Sequence, residues 1–234
     1  MRINFLFEKL EKKYKWRGWW PSTPEGKKTP EYHKSKKYKY TDNEKFEIAV
    51  GAILTQNTAW TNVIKALENL NFLGVNLPEK LLKTEEDLLL NAIKPSGYYN
   101  QKLKKIKCLS EFFIKNSFKT LNKKNAADLR FMFLNIWGIG RETADSIILY
   151  VFNKPIFVID AYTRRVLKRN GIIEGNEDYD EIRELVENNI PHNVNKYKNY
   201  HAVIVELCKQ YCKTNPDCKN CILNEYCIKN IKKI

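Results

Sequence analysis

The chain has 234 residues, 43% of them hydrophobic, enough to bury a core as one large domain or two small lobes. Forty-one Lys and Arg against 27 Asp and Glu give a formal charge of +14, which favours a polyanionic partner and equally fits a lysine-rich solvated surface. No apolar run approaches the roughly 18 residues needed to cross a bilayer, and charge follows Met1 to Phe5 too soon for a signal peptide. A cytoplasmic, nucleoid-associated protein is therefore expected, without a membrane partner.

In chain order, a short N-terminal helix is predicted first. Residues 11–40 then mix Lys, Pro, Gly and aromatics, including Trp16, Trp19, Trp20 and Pro21, and read as a long loop. Thr41 to Glu44 has the form of a capping box, and Phe46, Val50, Ile53 and Leu54 recur at helical spacing after it. A second helix carrying Trp60, Val63, Ile64 and Leu67 follows the polar Gln56-Asn57-Thr58. Further helical patterns fall at about 85–93, 100–115 and 125–134. The apolar run Ile156 to Ile159 is too short to assign to a strand or a helix. The chain reads as mostly α.

Two motifs carry chemistry. The first is Leu134-Asn-Ile-Trp-Gly-Ile-Gly-Arg-Glu-Thr-Ala-Asp145, an apolar helix end, a turn through Gly138 and Gly140, and a new helix from about Arg141. Glycines allow a tight turn, and the unpaired N–H groups that open a helix favour a phosphate oxygen. Gly-x-Gly alone fits an ordinary helix–helix turn equally well. Further on, Phe157-Val-Ile-Asp160-Ala-Tyr-Thr-Arg-Arg165 sets one carboxylate at a helix start, where an isolated Asp is by default an N-cap. The second motif is Cys212-x5-Cys218-x2-Cys221-x5-Cys227. Four thiolates so close can hold either a tetrahedral zinc or a four-iron cluster. The remaining cysteines are Cys108, which falls in an apolar-periodic segment and reads as core, and Cys208, one helical turn before Cys212 and so a minor candidate ligand.

Together these residues resemble the endonuclease III branch of the helix–hairpin–helix DNA glycosylase superfamily. Phe46 to Leu70 is similar to the family's first helix pair with its Gln-containing turn, and Gly97-Tyr-Tyr-Asn-Gln-Lys102 to its Gly-Tyr-x-x-Lys element. The resemblance implies an all-α, two-lobed fold: a central bundle at 41–154, with residues 1–40 and 155–234 forming the second lobe around an iron–sulfur loop at 212–227. It implies a monomer acting on double-stranded DNA that contains a damaged base. Asp160 would be the catalytic carboxylate, and Cys212, Cys218, Cys221 and Cys227 would bind a [4Fe–4S] cluster, although relatives usually have six residues in the first gap. Members that also cut the backbone carry a lysine where this chain has Glu142, and a carboxylate cannot form the Schiff base of lyase chemistry. A monofunctional glycosylase for an alkylated purine or for uracil is the expectation. A lyase, or a non-catalytic DNA-binding protein, is the alternative. The Gly-Ile-Gly-basic-Glu sequence, with Trp-Trp-Pro upstream, is most similar to the family's 3-methyladenine glycosylases and archaeal-type members. Trp137 stands where many relatives have proline.

The same reading offers Trp16, Trp19 and Trp20 as stacking surfaces for an extruded base, on the ground that three so close together are hard to bury at once. Glu142 is either a pocket residue or a first-turn acid favoured by the helix dipole. Gln56 is either the filler of the gap left in the duplex or a turn residue. Gly138, Gly140, Arg141, Arg164 and Arg165 are expected to meet DNA, the arginines through phosphates. His33, His192 and His201 show no ligand spacing with one another.

Overall fold

The computed structural model describes residues 3–229, whose regular structure is helical apart from one isolated antiparallel bridge between Ser22 and Glu31. The helices are α1 (Ile3–Tyr14), α2 (Asp42–Leu54), α3 (Trp60–Phe72), α4 (Pro78–Lys83), α5 (Glu86–Ile93), α6 (Tyr99–Lys115), α7 (Phe118–Leu121), α8 (Ala126–Leu134), α9 (Arg141–Tyr150), α10 (Ala161–Arg169), α11 (Tyr179–Glu187) and α12 (Val194–Gln210). A single 3-10 turn, Lys94–Ser96, joins α5 to α6. The chain divides into two compact units, Trp20–Lys154 and Met1–Trp19 with Pro155–Ile234.

The unit 20–154 is built on α2. From Phe46 to Leu54 every residue of α2 is buried, because α3, α6 and α9 all pack on it. Its start is the expected capping box: Glu44 N–H donates to Thr41 Oγ1 at 3.3 Å and Thr41 N–H donates to Glu44 Oε2 at 2.8 Å. The other Glu44 oxygen accepts from Ser22 Oγ at 2.8 Å and from Tyr38 Oη at 2.7 Å, and Ser22 Oγ lies 2.7 Å from His33 Nε2. This buried polar knot explains a difference from the sequence expectation. Residues 20–40 belong with the central bundle, not with the C-terminal segment, because leaving Glu44 without those donors would cost the desolvation of a buried carboxylate. A cluster of Phe46, Phe112, Phe113, Phe118, Phe133 and Phe152 rings packs the bundle's core.

In the other unit, α12 packs against both α1 and α10. Phe7 of α1 stacks on Tyr200 at 4.7 Å and meets Phe157 edge-on at 5.5 Å. The run 156–159 is buried but is neither helix nor strand. Two of its backbone donors are taken by side chains of α11: Phe157 N–H by Glu187 at 2.7 Å and Ile159 N–H by the Tyr179 hydroxyl at 3.3 Å. Side-chain acceptors of this kind stand in for a partner strand at those two amides, and the run delivers Asp160 to the start of α10.

Candidate functional site

The hairpin between α8 and α9 has the expected form. Gly138 has φ of 81°, and a Cβ there would lie 2.4 Å from Lys105 Cγ. Gly140 is the N-cap of α9 at φ −91°, with nothing within 4 Å of a Cβ position. Only Gly138 therefore requires glycine for its backbone; Gly140 leaves open space in front of the first amides of α9. Arg130 of α8 clamps the hairpin from behind through Asp145 of α9, with Nε–Oδ1 at 2.8 Å and the Asp145 side chain fully buried. Arg141 and Glu142 are exposed on the first turn of α9.

Gln56 reaches this hairpin. Its Nε2 donates to Thr143 Oγ1 at 3.0 Å, and its Oε1 accepts from Lys105 Nζ at 2.6 Å. Lys104, the preceding residue on α6, lies 4.4 Å above the half-exposed Trp137 ring. The lysines of α6 were thus missed as hairpin residues; the only sequence signal was the lysine run that follows Gly97-Tyr-Tyr. Lys102, the last residue of that element, is buried and donates to Leu54 O, Thr58 Oγ1 and Ser96 O. Burial, and secondarily Lys105, pushes its amine down to about 8.

The three tryptophans are buried to different degrees. Trp19 and Trp20 are both buried and Trp16 is half-buried. Trp20 stands edge-on to Trp60 at 5.7 Å and to Tyr150 at 5.4 Å, and it presses on Gly51, where a Cβ would come within 3.2 Å of its indole nitrogen. Absence of a side chain at Gly51 lets the helix accept the ring. Trp19 lies under Lys209 Nζ at 5.5 Å. Three neighbouring tryptophans were expected to be hard to bury all at once; Trp19 and Trp20, on either side of the boundary between the two units, are packed, and Trp16 is left half-buried.

Asp160 is the N-cap of α10, and Thr163 N–H donates to its Oδ1 at 2.7 Å. Its Oδ2 lies 3.5 Å from Nε2 of His201, a buried residue of α12. Burial raises the Asp160 pKa, but the hydrogen bond and charge of His201, with the Thr163 N–H and hydroxyl, more than offset it and hold the carboxyl below its ordinary range. His201 was read in the sequence only as a histidine without ligand partners; its pairing with a carboxylate far along the chain leaves no local signal. Arg164 and Arg165 have protein partners: Arg164 donates to Glu177 O at 3.0 Å, and Arg165 lies 5.1 Å over the Tyr162 ring.

Cys212, Cys218, Cys221 and Cys227 all line one small cavity of about 30 Å³, together with Leu207, Leu223 and Arg169. Among the described residues no group of three or more His, Cys, Asp or Glu is close enough together to hold a single metal ion. Arg169, at the end of α10, donates to Cys212 Sγ at 3.3 Å, Lys213 O at 2.6 Å and Thr214 O at 3.0 Å. The Cys208 thiol's hydrogen bond, opposed by burial and helped by the Arg169 guanidinium, pushes the Cys212 thiol down to about 6. Cys208 itself is buried within α12, and Cys108, expected in the core, is only half-buried.

Residues 50–192 match the sequence family described as HhH-GPD superfamily base excision DNA repair protein. The chain belongs to this family. A Methanocaldococcus jannaschii protein named as a DNA repair glycosylase is 43% identical over 188 residues, covering 79% of this chain and 86% of its own length. Endonuclease III of Sulfolobus acidocaldarius is 28% identical over 192 residues, covering 80% of this chain and 84% of its own. The structure of the H. pylori 3-methyladenine DNA glycosylase bound to 1,N6-ethenoadenine superposes with a TM-score of 0.71 at 28% identity, covering 90% of this chain and 98% of that one. An endonuclease III–DNA complex shares the fold at a TM-score of 0.74 and 18% identity, covering 96% and 93%. HhH-GPD relatives of this kind are DNA glycosylases of base-excision repair. No described helix is long and apolar enough to cross a membrane.

Proposed function

We propose that this HhH-GPD protein is a monofunctional DNA glycosylase that releases an alkylated purine or uracil from double-stranded DNA and leaves an abasic site. The observation that carries the reading is Asp160, an anion held ionised inside the protein at the mouth of a helix. As the N-glycosidic bond breaks, the base departs with the bonding electron pair and the sugar gains positive charge. The Asp160 carboxylate stabilises that charge and accepts a proton from the water whose oxygen bonds to the sugar carbon. An N-alkylated purine already carries positive charge and leaves readily, which favours it as substrate, as does the likeness to the H. pylori enzyme.

The hairpin is read as the grip on the DNA backbone, with the open amides of α9 and Arg141 meeting phosphate, and Gln56 as the residue that enters the duplex when the base leaves it. Glu142 occupies the first turn of α9 where a lyase would need an amine, so strand cleavage is not expected.

The cysteine loop fits a [4Fe–4S] cluster: four thiols line one cavity, the Cys212 thiol is biased toward thiolate, and apolar Leu207 and Leu223 shield the space. Such a cluster would fix the loop 212–227 and with it Lys213 and Lys219. Iron and acid-labile sulfide in equal amounts would support it, and stoichiometric zinc without iron would refute it.

Duplexes bearing single lesions, an alkylated purine and uracil among them, test the function. Strand breaks that need alkali are expected; breaks without alkali, trapped by borohydride as a covalent adduct, would refute the monofunctional reading.

A further inference from the structure

The two oxygens of Asp160 are used differently. Oδ1 is committed to the helix through Thr163 N–H at 2.7 Å, whereas Oδ2 faces His201 Nε2 at 3.5 Å. A bond to one oxygen leaves the carboxyl free to take a proton on the other, and burial favours that proton. We propose that His201 is the positioning residue for Asp160: its Nε2–H holds Oδ2, so that the carboxylate meets the sugar as an anion in a single orientation. The proposal rests on the reading of Asp160 as the reacting carboxylate and adds the group that prepares it.

The surroundings of the pair single out His201. It is 4% exposed, near the middle of the 17-residue α12, which packs along α10. Among the charged groups of these helices and of α1, Arg164 is directed to the Glu177 carbonyl, Arg165 over Tyr162, Lys196 to Glu11, Glu206 to Arg17 and Arg169 to the cysteine loop. Lys198, one turn before His201, is buried, and burial pushes its amine down to about 8. The Thr163 N–H and hydroxyl are the neighbours that act on Asp160 from its own helix. Protonated, His201 supplies both charge and a donor to Oδ2; neutral, with the proton on Nε2, it supplies the donor alone. A separation of 3.5 Å is the long edge of such a bond, and catalytic hydrogen bonds commonly tighten once substrate is bound.

The test is a titration of the whole protein labelled with carbon-13 at the aspartate carboxyls, the Asp160 signal being the one lost in Asp160→Asn. In His201→Leu the Asp160 midpoint is expected to rise by about one pH unit or more, the size of effect an adjacent opposite charge exerts. The acid limb of base release from methylated duplex DNA should move upward with it, while affinity for undamaged duplex stays unchanged. His201→Gln restores a neutral donor without the charge, so its midpoint should fall between the two, and it serves equally if the leucine variant does not fold. An Asp160 midpoint that stays in place in the His201 variants, even with a slower reaction, would overturn the proposal. Base release that survives in Asp160→Asn would instead overturn the reading of Asp160, while the titration would still report on the pair.

Discussion

Replacing Gly138 by alanine should damage the hairpin from two directions at once. Its φ of 81° lies where an L side chain costs roughly 1 kcal/mol. The added Cβ would also sit 2.4 Å from Lys105 Cγ, so the lysine must swing away from the Gln56 oxygen it now holds at 2.6 Å. A charged hydrogen bond is worth about 1.5–3 kcal/mol when well buried, and about 1 kcal/mol is a fair figure for two half-buried side chains. The sum is about 2 kcal/mol, which for a chain of this length lowers the thermal midpoint by roughly 4–8 °C. Gly140→Ser is the control: its Cβ meets nothing within 4 Å, and its φ of −91° is ordinary for an N-cap. Serine can accept from the first amides of α9 there, so this variant should melt at or slightly above the parent, within about 0.5 kcal/mol. Thermal unfolding followed by circular dichroism reads both. Equal melting of Gly138→Ala and the parent, or an equal loss in Gly140→Ser, would show that the hairpin does not depend on the Gly138 backbone as argued.

Two further outcomes follow from the other unit. Asp160 has a folded-state pKa below its unfolded value of about 3.9, so the ionised group stabilises the fold above that value and loses its contribution as pH falls through the lower, folded one. Asp160→Asn, which keeps a capping oxygen for Thr163 N–H but loses the charge, should be less stable than the parent at pH 7 and converge with it as pH falls below about 4, flattening the acid side of the profile, as thermal midpoints across that range would show. Arg169→Met removes three hydrogen bonds to the cysteine loop and should speed loss of the proposed cluster to a chelator by roughly tenfold, the equivalent of about 1.4 kcal/mol; an unchanged rate would mean that Arg169 does not hold the loop.

What the order of residues determined by itself was everything that acts over a turn or two of chain. The Thr41–Glu44 capping box, the Gly138 turn, the Asp160 cap and the helical periods of α5, α6 and α8 all arise from groups three or four positions apart, so they are readable in one dimension. The cysteine spacing likewise marked those four residues as candidates, and all four line one cavity. Tertiary structure alone decided the rest. It joined Ser22 and His33 to Glu44 and so moved residues 20–40 into the central bundle, and it buried Trp20 against Gly51 of α2, where no side chain stands in the way. It brought His201 to Asp160, Arg169 to Cys212 and Lys105 to Gln56. The physical reason is the same in each case: burying a charged or polar group demands a partner, and helix packing supplies that partner from a distant part of the chain where no local pattern records it.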